Sequence, residues 1–114
     1  MARIERINQL MKREISQMIQ RDLQDPRLAF VTITQVQVSR DLQHARVSYS
    51  VLNSVDQANI QSILDRVSGF IRKLVGQRIR MRYTPAIVFV YDKSLEYSDQ
   101  IDKTLEDIRR NEPQ

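Results

Sequence analysis

Cysteine and tryptophan are absent from this 114-residue chain, histidine occurs once, at position 44, and glycine occurs twice. Without cysteine there are no disulfides, no thiolate metal sites and no cysteine nucleophiles. One histidine and two glycines leave neither a histidine cluster for a metal nor a glycine-rich phosphate loop, so most enzyme classes with a sequence signature are excluded. No apolar run approaches the roughly 18 residues needed to span a bilayer. The start carries Arg3, Glu5 and Arg6 where a secretory signal would become apolar. A soluble, cytoplasmic protein with no membrane partner is expected. Repeats, low-complexity tracts and Gly/Ser linkers are missing too, which leaves one folding unit. What is present fits that unit: 41% hydrophobic and 28% charged residues is a globular balance.

The net charge is +4, and its distribution matters more than its sum. Residues 66 to 82 hold Arg66, Arg72, Lys73, Arg78, Arg80 and Arg82 without one Asp or Glu, whereas residues 92 to 114 hold seven acids against four bases. Solvated helix faces usually mix both signs. Six bases without an acid repel one another unless a polyanion relieves them, and arginine's planar fork suits phosphate oxygens.

Periodicity assigns the elements. Ile4, Ile7, Met11, Ile15, Met18 and Ile19 recur at three and four within residues 3 to 22 and predict a first helix, ended before Pro26. From Phe30 to Ser39 the pattern is strand-like, but Val31 and Ile33 share one parity and Val36 and Val38 the other, so an extra residue near Thr34 and Gln35 is required: a β-bulge. Ala45, Val47, Tyr49 and Val51 alternate against Arg46, Ser48 and Ser50, predicting a second strand paired antiparallel through the turn at Arg40 to His44. Asp56 can cap a second helix whose apolar stripe runs from Ile60 to Val75 and includes Phe70. Ser68 and Gly69 interrupt it and Gly76 is a natural stop, so a bend and an early end are both expected. Ala86 to Tyr91 is apolar on both parities, as in a strand at the middle of a sheet. Ile101, Leu105 and Ile108 suggest an appended acidic helix capped by Ser98.

His44 sits at a hairpin with no partner and reads as a solvated turn residue. Asp92, Glu96, Asp99 and Asp102 suit a turn and the first turn of a helix better than a magnesium site. No catalytic residue, metal or cofactor is assigned. Phe30, Phe70 and Phe89 fall on core positions, which leaves Tyr83 and Tyr97 as exposed aromatics and favours phosphate-dominated recognition of a shaped RNA over base stacking.

Three stretches resemble the ribosome-binding factor A family: Thr32 to Val36 with Val38-Ser39-Arg40-Asp41-Leu42 and Ala45-Arg46-Val47; Gly69-Phe70-Ile71-Arg72; and Arg82-Tyr83-Thr84-Pro85 with Ile87, Phe89 and Asp92. The resemblance implies an α+β fold of the type II KH-like kind, helix-strand-strand-helix-kink-helix-strand. It would have a three-stranded sheet, an appended C-terminal helix, and a kink in place of the Gly-x-x-Gly loop. The family's Ala-x-Gly kink is Val67-Ser68-Gly69 here, and its Glu after Pro85 is Ala86. Residues 1–95 are then the RNA-binding domain, and 96–114 an acidic helix or tail, either part of that domain or an extension of it. The implied function is non-enzymatic: binding the small (30S) ribosomal subunit and assisting late maturation of 16S rRNA, including its 5′-end helix, with growth in the cold depending on it. On that reading Arg72, Lys73, Arg78, Arg80 and Arg82 hold RNA phosphates, with Arg66, Arg40 and Arg46 as outer contacts. The protein is expected to act as a monomer, with other assembly factors as possible partners. A general KH-like regulator of structured or messenger RNA is the alternative.

Overall fold

In the computed structural model, residues 3–52 and 56–93 are described. The order is α1 (Arg3–Gln17), β1 (Val31–Val38), β2 (His44–Val51), α2 (Gln57–Arg78) and β3 (Ala86–Tyr91). After α1 the chain continues as a wider π-helical turn, Met18–Asp22, before a short 3-10 turn at Pro26–Leu28. The single long first helix expected over residues 3 to 22 therefore changes its winding at Met18. This keeps Met18 and Ile19 buried with Met11 and Ile15.

The sheet follows from alternation. β1 and β2 pair antiparallel, with Ile33 opposite Tyr49 and Gln35 opposite Ser48, so Thr34 is the extra residue that the change of parity demands. The bulge lets Val31, Ile33, Val36 and Val38 all enter the core. β3 adds parallel to β2, giving the order β1-β2-β3. β2 is therefore the central strand, and the expectation that β3 is central is corrected. The apolar residues of β3 on both parities do not require a partner strand on each side: Ile87 and Phe89 are buried, while Val88 is left 47% exposed.

α2 pairs with β3 and α1 with β1, and their buried side chains join the buried parity of the sheet in one core. On the opposite parity of the sheet Gln35, Gln37, Arg46 and Val88 are exposed, while Ser48 is buried. Amide side chains meet backbone groups at both sheet edges. The Val38 N–H donates to Asn8 Oδ1 (2.9 Å), Gln20 Nε2 donates to the Val31 carbonyl (2.7 Å), and Gln61 Nε2 donates to the Phe89 carbonyl (2.9 Å). Edge groups satisfied in this way no longer offer a free template for strand addition.

Asp56 caps α2 as expected, accepting from the Asn59 N–H. The expected helix-kink-helix is, however, one unbroken helix to Arg78, passing through Val67, Ser68, Gly69 and Gly76. Burial of Ile60, Ile63, Leu64, Ile71 and Val75 along one side holds it together, outweighing the roughly 1 kcal/mol that an interior glycine costs. The Ser68 hydroxyl turns back to donate to the Asp65 carbonyl (2.8 Å) instead of breaking the ladder. The expected acidic helix after residue 96, with Ser98 and Tyr97, lies outside the described residues, as do Glu96, Asp99 and Asp102.

Candidate nucleic-acid interface

α2 turns its outer surface to solvent, and on it Arg66, Arg72 and Lys73 are exposed. Its one acid, Asp65, accepts from Gln61 Nε2 (2.9 Å). The loop that follows is tied back along the helix. Arg72 Nε and Nη2 both donate to the Thr84 carbonyl (3.2 and 2.9 Å), and a Cβ at Gly76 would stand only 2.8 Å from Thr84 Oγ1. Gly76 is thus a close-approach glycine rather than a helix stop. The same loop carries exposed Arg80 and Arg82, with the Arg82 guanidinium 5.5 Å from the centroid of the exposed Tyr83 ring.

The other cations stand apart. Arg78 is drawn to the opposite partner: its guanidinium contacts Asp22 (2.7 Å) and Glu14 (3.6 Å), bridging the end of α2 to the first helical segment. Its charge is already answered inside the molecule. Arg40 lies exposed in the β1–β2 turn and Arg46 on the parity of β2 away from the helices. Arg66, Arg72, Lys73, Arg80 and Arg82 are thus exposed on α2 and the loop after it, whereas Arg78 is held by Asp22 and Glu14 and Arg40 and Arg46 lie on the hairpin and the sheet. Among the described residues no ion pair engages any of that group of five.

The scaffold beneath is anchored by Tyr49, fully buried at the middle of β2. Its hydroxyl donates to Gln61 Oε1 and accepts from Gln57 Nε2 (3.0 Å), while its ring meets Phe89 edge-on. Burial pushes its phenol pKa up, so it stays a donor. At the hairpin, Asp41 Oδ1 accepts from the Ser39 hydroxyl (2.6 Å) and the Gln43 N–H (3.1 Å), which holds its carboxyl below the usual range and fixes the turn carrying Arg40.

Two aromatics differ from expectation. Phe30 and Phe70, placed in the core by pattern, are 47% and 52% exposed, whereas Phe89 is buried. Phe70 lies at the margin of the apolar stripe, where a position alone cannot tell core from surface. A polar cleft of about 560 Å³ between α1 and the β1 bulge is lined by both signs of charge, Glu5, Lys12 and Asp92 among them, and does not favour an anion. Among the described residues no three acids or histidines gather as a metal site, and no helix is long and apolar enough to cross a membrane.

Comparison with known proteins gives a consistent answer. Residues 3–105 match the family model described as ribosome-binding factor A. A protein of that name from Halothermothrix orenii is 40% identical over 111 residues, covering 96% of this chain and 91% of its own. The crystal structure of ribosome-binding factor A from Thermus thermophilus superposes with a TM-score of 0.72 at 24% identity, over 79% of this chain and 97% of that one, a likeness of fold. A Thermus thermophilus ribosome-binding factor A homology model, fitted into the cryo-EM map of its 30S complex, is similar at 27% identity and a TM-score of 0.63, over 75% of this chain and 91% of its own.

Proposed function

The chain belongs to the ribosome-binding factor A family, and from that premise we propose that it binds the small ribosomal subunit as a non-enzymatic assembly factor. The observation that carries the reading is that Arg66, Arg72, Lys73, Arg80 and Arg82, on α2 and the loop after it, are all exposed with no carboxylate paired to them among the described residues. Such a surface suits phosphate oxygens. In this reading the domain is a variant of the type II KH-like module in which the middle of α2, at Val67-Ser68-Gly69, stands where a Gly-x-x-Gly loop would be. Arg40 and Arg46 reach outlying RNA, and Arg78 steadies the base of the surface.

The mechanism needs no bond cleavage. Cations at spacings fixed by α2 and its docked loop fit phosphates of a folded RNA better than those of an unfolded one. Binding then shifts the RNA toward the fitted shape by the difference in affinity alone. Late 16S rRNA, including its 5′-end helix, is the substrate this reading assigns, in the cytoplasm and with a monomeric factor.

Sedimentation of extracts through a sucrose gradient tests it. Wild type should travel with free small subunits, and Arg80→Glu with Arg82→Glu should move it to the light fractions with melting temperature unchanged. Wild type spread through light, heterogeneous fractions would favour a general RNA regulator. Equal subunit binding by the double variant would refute the assigned surface.

A further inference from the structure

Phe70 is the residue for which the fold has no use. It sits on α2 one turn after Arg66 and one turn before Lys73, and a helical advance of 100° per residue places these three and Gln77 within about 60° of one another. All four are exposed, and the ring of Phe70 is half out of the protein. Beside it Gly69 carries no side chain, and a Cβ added there would meet nothing within 4 Å. Since its φ is not positive, no backbone constraint demands glycine at that position. An aromatic face, open space next to it and a cation on either side along the helix make a surface that water alone serves poorly.

A partner for this surface must bring a flat apolar face and negative charge together. An unpaired nucleotide does both: its base has a π-face and its phosphates flank it. A protein surface would need an aliphatic or aromatic contact bracketed by carboxylates to do as well. We infer that Phe70, with Arg66 and Lys73, forms a stacking platform for one unpaired nucleobase, the base lying on the ring and the neighbouring phosphates on the two cations. The inference rests on the reading that this face of the protein meets RNA. It adds that the RNA met here is single-stranded at that point, with Gly69 admitting the edge of the nucleotide beside the ring. Base–aromatic stacking tolerates any base, so the platform selects for an unpaired base and not for a sequence.

The absence of tryptophan makes a direct test available. Phe70→Trp places the only indole of the chain on the platform. Titrated with an adenine dodecaribonucleotide, its fluorescence should be quenched saturably, and the same quenching should appear with purified small subunits. Phe70→Leu, which keeps apolar bulk but removes the π-face, should weaken oligonucleotide binding about 5- to 100-fold. The salt dependence of binding and the melting temperature should stay unchanged, because no charge is lost and the site is exposed. Wild-type affinity in Phe70→Leu would overturn the inference. So would indole emission that shifts to the blue without quenching on subunits, the mark of a protein contact. Either result leaves subunit binding intact, whereas loss of the proposed function shows instead as unchanged sedimentation of the Arg80/Arg82 variant.

Discussion

Asp41 and Asp25 each hold a turn by accepting from neighbours two residues away. Asp41 takes the Ser39 hydroxyl and the Gln43 N–H, and Asp25 takes the Arg27 side chain and N–H. These contacts favour the charged forms, so both carboxyls lie below the ordinary 3.8, Asp25 chiefly through the Arg27 side chain and Asp41 chiefly through Ser39. A carboxylate with a depressed folded pKa adds stability that is present above its unfolded value and lost as pH falls through the folded one. Urea melts between about pH 5 and 2 should therefore show stability falling with acid, and Asp41→Asn should fall less steeply. An identical decline in the variant would show that the turn contributes nothing. The helix end before Pro26 and the turn at Arg40 to His44 were legible in the sequence, but the partners that make these two carboxyls acidic were not.

At the scale of the element, α2 is decided by two glycines of opposite meaning. Gly69 faces open space at negative φ, while Gly76 faces Thr84 at a distance no Cβ tolerates. Gly69→Ala should raise stability by about 0.5–1 kcal/mol, since the helix gains a better former and the unfolded chain loses freedom. Gly76→Ala should lower it by about 1–3 kcal/mol by forcing the Thr84 side chain out of its packed position against the helix. Thermal melts of the two variants moving in the same direction would contradict this account. In the sequence the glycines looked alike, one as a bend and one as a stop. Burial of the apolar stripe carried the helix through both, and Thr84, eight residues downstream of Gly76, could not be placed against it from periodicity.

For the whole molecule, the basic charge divides into a structural and an open part. Arg78 closes the gap between α2 and the first helical segment through Asp22 and Glu14, whereas Arg80 and Arg82 meet no carboxylate among the described residues. If about four cations displace counterions, log affinity for subunits should fall against log salt with a slope near −3. Arg78→Ala should leave that slope in place and lower the melting temperature. Arg80→Ala should do the reverse, reducing the slope by about one unit per lost contact. A flatter slope in Arg78→Ala with unchanged stability would reverse the division.

Local order was written in the sequence because it depends on neighbours only. Alternation gave the strands, the change of parity between Ile33 and Val36 called for a bulge near Thr34 and Gln35, which the register puts at Thr34, and Asp56 marked the start of α2. The acid-free run from Arg66 to Arg82 likewise pointed to a polyanion before any geometry was known. Contacts between distant segments belonged to the tertiary structure. It made β2 rather than β3 central, left Phe70 outside the core, turned Arg78 toward Asp22 and Glu14 and docked the Thr84 loop on α2 through Arg72. Hydrophobic spacing records which face of an element is apolar, but only packing settles what that face meets and which charges remain for a partner.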